Sequence, residues 1–177
     1  AAANIALLVL NTRALGSDGA FSRGPQYPAL YIAQHVTAGA FYAIVDSEAV
    51  GLPIDAAHLP ELRRAGAATS RAIEAVQTIA HPVEAGLRGL AGTIFTAPPS
   101  DEHSALRNVA IFSGAEAERS PGGTGTAAVM AVVDAMGLLG SETPFVHESL
   151  VGTRFAGRIV ARTTVGEYPA IVPEIEG

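Results

Sequence analysis

Residues 118–140, ERSPGGTGTAAVMAVVDAMGLLG, join a glycine-threonine loop to a run of apolar residues. From Thr126 to Met136 that run is apolar on every side except at Asp134, and Gly137 is placed to end a helix. A helix without a polar face has to be enclosed by the rest of the protein. Asp134 within it needs a partner, and a helix-to-loop hydrogen bond is the expected one.

The surrounding sequence supplies strands to do the enclosing. Asn4–Leu10, Ala29–Ala33, Ala40–Asp46, Asn108–Ser113 and Gly157–Val165 are short runs rich in Val, Ile, Phe and Tyr. Phe41 and Tyr42 are read as core residues of their strand. The segment 12–28 is the longest irregular stretch, and Thr96–His103 is a polar, proline-rich loop. Leu59–His81 is the second helical segment, with Leu62, Ala65, Ile73, Val76 and Ile79 spaced by threes and fours against Arg63, Arg64, Arg71 and Glu74. It is expected at the surface, broken at Gly66 and ending at His81 before Pro82. Strands that outnumber helices without strict alternation predict an α+β domain, a curled sheet around one buried helix.

Composition narrows the function classes. The 177 residues are 49% hydrophobic and 16% charged, enough for a single globular core. A net charge of −6 with its arginines scattered argues against nucleic acid as a partner. The absence of cysteine excludes disulfides and thiolate chemistry by this chain. No apolar run approaches the roughly 20 residues needed to cross a bilayer, so a cytoplasmic location is expected. The start without Met and the closing YPAIVPEIEG suggest processing or a piece of a longer protein.

The loop before the helix suits an anion. Pro121 stiffens the approach, while Gly122, Gly123 and Gly125 let a ligand reach the backbone without meeting a Cβ. Thr124 and Thr126 can cap the helix and add hydroxyl donors, and the first turn contributes unpaired amides and the positive end of the helix dipole. Such a place binds a carboxylate or a phosphate; a tight turn with an N-cap accounts for the same residues without a ligand. GGTGT lacks the Lys that a Walker loop requires. GTGTAA, residues 123–128, fits the dinucleotide pattern G-x-G-x-x-A, but the strand before it ends several residues too early for a tight strand-to-helix turn.

NVAIFSGAEAERSPGGTGTAAVMA resembles the second active-site segment of the proline racemase family, where an Asp-Arg-Ser-Pro-Cys-Gly-Thr-Gly-Thr run opens a buried helix. The similarity extends to GAFYAIVDSEAVGLPID from Gly39, to His81–Pro82, to GTIF from Gly92, to ESLVGTRFAGRIV from Glu148 and to PAIVPEIEG from Pro169. It implies a diaminopimelate-epimerase-like fold, in which two α/β lobes each wrap a central helix and clamp a small amino acid. It also implies racemisation of proline, epimerisation of 4-hydroxyproline or dehydration of trans-3-hydroxyproline, without metal or organic cofactor. Residues 39–177 would form one such lobe, and residues 1–38, which match poorly, part of the same or a partner lobe. The partners implied are a cyclic amino acid and a second copy or a missing first lobe, with no membrane and no nucleic acid.

Position by position, the resemblance makes Gly123, Thr124, Gly125 and Thr126 carboxylate-binding and sets Phe112 against the substrate ring. Glu118 stands where the family has an Asp near its catalytic thiol, and Gly122 stands where it has the thiol, or Thr in the dehydratases. Glycine cannot exchange a proton, and the family's other base, in a Met-Cys-Gly-His-Gly-like segment, has no counterpart here. One-base dehydration is therefore expected over racemisation, which needs a base on each face of the α-carbon. Glu118 is either a substitute base or a loop carboxylate paired with Arg119 or a backbone donor. His35, His58, His81, His103 and His147 show no metal spacing and read as ordinary polar residues. A non-catalytic carboxylate-binding module and a dinucleotide-binding domain are the rival functions.

Overall fold

A computed structural model describes residues 6–9, 30–35, 40–140 and 144–177. The irregular stretch 12–28, the ends of the first predicted strand and the His35 side chain lie outside the described residues.

The described strands are β1 (Ala6–Val9), β2 (Leu30–His35), β3 (Ala40–Asp46), β4 (Leu90–Ala97), β5 (Leu106–Phe112), β6 (Phe145–Ser149), β7 (Arg154–Val165) and β8 (Tyr168–Glu176). Each pairs with its neighbour in chain order, and β1 pairs with β8, closing the sheet into a barrel. The β3–β4 and β5–β6 pairs are parallel and the others antiparallel. Helix α1 (Leu59–Val76) connects β3 to β4, and α2 (Gly123–Ala135) connects β5 to β6.

The two helices take opposite sides of the sheet for a compositional reason. Residues 125–132 of α2 are all buried, packed against Tyr42 and Ile44 of β3, Ile94 of β4, Ala110 of β5, Phe145 of β6 and Ile171 of β8. Its alanines and valines let the barrel close tightly, and Gly157 of β7 makes room for Met130, whose Sδ lies 2.4 Å from where a Cβ would stand. On the other side, Leu62 of α1 packs with Val45, Phe95, Val109 and Ile111, while Ile73 packs with Phe41, Ala43 and Leu90. Strands β3, β4 and β5 are thus covered on both faces, so FYAIV (residues 41–45) and VAIF (residues 109–112) are continuous apolar runs rather than alternating ones.

Several expectations are corrected. Helix α1 is continuous through Gly66, whose missing Cβ admits Ile111, the two separated by only 2.7 Å if a Cβ is added. The helix stops at Val76 rather than His81. Buried His81 accepts from the amides of Val83 and Glu84 in the turn that follows. Asp134 pairs with Arg162 of β7, a strand partner in place of the expected loop. Helix α2 begins at Gly123, three residues before the predicted start, so the glycine-threonine loop is itself the first helical turn. Among the described residues, no helix is long and apolar enough to cross a membrane.

Candidate functional site

The site is built where α2 begins. Gly122 is its N-cap residue, with φ 72° and ψ 127°, a conformation that a residue with a Cβ reaches only at a cost of about 1–3 kcal/mol. The amides of Gly123, Thr124 and Gly125 have no acceptor among the described residues. Three N–H groups and the positive end of the helix dipole are therefore free to meet an anion. Gly123 is exposed and Thr124 partly so, which gives a ligand access to them.

Thr126 does not join them. Its amide donates to the Gly122 carbonyl at 2.8 Å, and its hydroxyl is buried in a 3.0 Å contact with His147 Nδ1. It braces the loop from beneath instead of contributing a donor. His147, read as ordinary from sequence, is fully buried, and burial holds its imidazole down at about 3, so it stays neutral at ordinary pH. Nothing local in PFVHES announces this role, because the strand that carries it is too short and too polar to stand out. The approach to the loop is fixed on the other side by Asn108, which is buried in β5 and donates through Nδ2 to the Pro121 carbonyl at 3.1 Å. Replacing it (Asn108→Ala) leaves that carbonyl without its donor; a loss of about 1–3 kcal/mol in urea unfolding is expected, with weaker anion binding because the loop is freed.

Glu118 reaches the site by a chain reversal after β5. Ala115 takes a left-handed conformation, φ 68°, and residues 116–118 run back beside β5: Phe112 N–H donates to Glu116 O at 2.9 Å and Glu118 N–H to Ala110 O at 2.9 Å. The expected pairing with Arg119 is not made among the described residues; Ser120 Oγ donates to Glu118 Oε1 at 3.2 Å and accepts from the Gly122 amide at 3.3 Å. Glu118 Oε2 lies 2.6 Å from where a Cβ on Gly122 would stand, so residues four apart in sequence share one spot. Partial burial pushes the Glu118 carboxyl up, partly opposed by the Ser120 bond. Tyr42, expected as plain core, faces the same region: burial and then the Glu118 charge raise its hydroxyl. Phe112, partly exposed, packs on the inner cluster and lies opposite Gly92 of β4, itself opposite Tyr42. The structure thus sets the Glu118 carboxyl against Gly122 at the start of the Gly123–Gly125 turn, while Phe112 is placed by its strand register opposite Gly92. Among the described residues no cluster of His, Asp and Glu could hold a metal ion.

Residues 36–177 match the proline racemase family. The chain is 48% identical over 139 residues to a 4-hydroxyproline 2-epimerase of Streptosporangium roseum, covering 78% of this chain and 41% of that protein. It is 40% identical over 139 residues to a trans-3-hydroxy-L-proline dehydratase of Bacillus cereus, covering 78% and 42%. Among solved structures it is similar to a hydroxyproline epimerase from Agrobacterium vitis with bound trans-4-hydroxy-L-proline, at a TM-score of 0.77 and 25% identity over 97% of this chain and 46% of that one. A probable proline racemase from Agrobacterium radiobacter with bound carbonate gives a TM-score of 0.78 at 27% identity, over 98% and 48%. The chain spans less than half the length of each.

Proposed function

We propose that this chain, which belongs to the proline racemase family, holds a proline or hydroxyproline by its carboxylate on the free amides of Gly123, Thr124 and Gly125. Those three unpartnered donors at the start of a buried helix carry the reading. Removing an α-proton beside a carboxylate puts negative charge onto the carboxylate oxygens, and amides already aimed there stabilise it as it develops. Phe112 stands against the ring.

The reaction we favour is dehydration of a 3-hydroxyproline. The α C–H bond breaks, its electron pair moves toward the carboxylate and then forms the Cα–Cβ double bond, and the β-hydroxyl leaves with the abstracted proton as water. One proton-transferring group suffices for that sequence, whereas inversion at the α-carbon needs two. The glycine at position 122 is what favours the one-base course. In this reading the chain supplies one lobe of a two-lobed protein, and the other comes from a further segment or a second copy.

Calorimetry of the chain with pyrrole-2-carboxylate, a planar mimic of the deprotonated substrate, tests the seat; saturable binding in the millimolar to micromolar range, about −4 to −8 kcal/mol, is expected. Proton NMR in D₂O with proline and hydroxyproline isomers tests the chemistry. Loss of 3-hydroxyproline is expected, and α-deuteration with inversion overturns the one-base course. Binding without turnover of any isomer identifies a non-catalytic carboxylate module. Dinucleotide binding through residues 123–128 instead requires cofactor binding that survives excess proline-like ligand.

A further inference from the structure

We propose that Glu118 is the group that carries the proton at this site, its carboxyl seated in the space that Gly122 leaves by having no side chain. The inference rests on the carboxylate-binding reading above and names the group that reading leaves open.

The seating follows from the backbone. Ala117 bridges Ile111 across an antiparallel pair, which sets Glu118 beside Ala110. Residues opposite one another in such a pair share a face, and Ala110 belongs to the inner face packed on α2. Glu118 is therefore directed inward, toward the start of that helix. Gly122 then does two things at once. Its φ of 72° disfavours any residue with a Cβ, and a Cβ there would stand 2.6 Å from Oε2, with Oε1 and Cδ each at 3.0 Å. A side chain at 122 and this position of the Glu118 carboxyl exclude each other. Gly122 is consequently part of how the site is built around a carboxylate, in addition to being a position without a functional group.

The surroundings leave the carboxyl free to exchange its proton. Its hydrogen-bond partner among the described residues is the Ser120 hydroxyl, and no ion pair reaches it there; Arg119 points to solvent. Tyr42 faces it from β3 with a raised hydroxyl pKa, so that group stays neutral. His147, beneath the loop, is neutral as well. Burial already favours the protonated form of Glu118. A zwitterionic amino acid brings its own ammonium and adds little net charge, whereas the deprotonated substrate, or pyrrole-2-carboxylate in its place, adds a like charge that favours the protonated form further. As carboxylate, Glu118 accepts the α-proton; as acid, it returns that proton to the departing hydroxyl, and the pair of steps leaves it unchanged.

Proton-linked calorimetry tests this on the chain itself. Pyrrole-2-carboxylate is titrated at a series of pH values from the ordinary carboxylate range upward to neutrality, in buffers of different ionisation enthalpy, using wild type, Glu118→Gln and Gly122→Ala. Wild type is expected to take up a proton on binding, with the uptake absent in Glu118→Gln and reduced in Gly122→Ala. Glu118→Gln is also expected to bind several-fold more tightly at pH 7, because a like charge is gone; that retained binding shows the variant to be folded. Binding by wild type without uptake, or the same uptake in Glu118→Gln, overturns the assignment of Glu118 while leaving the anion seat intact. Undiminished uptake in Gly122→Ala overturns the seating. No binding by wild type overturns the seat itself and this inference with it.

Discussion

Acidification from pH 6.5 toward 3 is expected to cost this protein on the order of 4 kcal/mol through one residue, His147. Its imidazole is fully buried between the start of α2 and Phe145, and burial lowers its pKa from 6.5 to about 3. In the native state it stays neutral across that interval, while in the unfolded chain it gains a proton near 6.5. The unfolded state then binds more protons, so stability is complete above about pH 6.5, falls as the pH drops, and has lost the whole contribution below about 3. Glu118 works in the opposite sense. Its raised native pKa favours the folded state at low pH and loses that contribution as pH rises through it. Asp55 and Asp101 have lowered pKa values, so what they contribute is lost only further into acid. A stability that falls on acidification between pH 6.5 and 4.5 accordingly belongs to His147, with Glu118 offsetting part of it. Urea midpoints taken at half-unit steps should show that fall in wild type and no fall in His147→Gln, where the opposite contribution of Glu118 is left. An unchanged slope in that variant would mean His147 is not the buried neutral group.

Gly92→Ala is expected to destabilise the protein by about 3 kcal/mol or more, the upper end of what overpacking does. A Cβ at Gly92 would lie 2.2 Å from the Ile111 carbonyl oxygen, 2.8 Å from Phe112 Cα and 2.9 Å from Ile111 C. These are backbone atoms of β5, so no rotamer change relieves the contact and the β4–β5 ladder has to part. Gly92 sits between Tyr42 and Phe112 in register, and the strands that would move are those that carry the site. A variant that folds should therefore also bind pyrrole-2-carboxylate more weakly. Gly157→Ala is the contrasting control: what it meets is the Met130 thioether, a buried side chain that can change rotamer where backbone cannot, so a smaller loss is expected. Equal losses in the two variants would contradict the backbone argument.

Some of this was legible in the linear chain. The apolar run after Gly125 demanded burial, and the three glycines beside Thr124 marked a backbone open to an anion. The strands at Ala40–Asp46 and Asn108–Ser113 stood out because both of their faces are covered, which concentrates Val, Ile and Phe. Strands β4 and β6 were missed. LAGTIFTA has Gly92 where the neighbouring strand presses close, and FVHES mixes His147, which faces the helix, with Glu148, which is buried beside Ser100 and Arg107. Their partners lie far away in sequence, so no local composition reports them.

Local chemistry, meaning residue type and short-range spacing, was enough to place a buried helix and an anion-accepting turn, because both depend on groups within a few residues of one another. Which atoms meet there depended on the closed sheet. Thr126 turned from donor to brace when β6 delivered His147, and Glu118 came to rest against Gly122 when the reversal at Ala115 laid residues 116–118 along β5. Contacts of that kind are set by strand register across the barrel, a long-range property that no window of neighbouring residues contains.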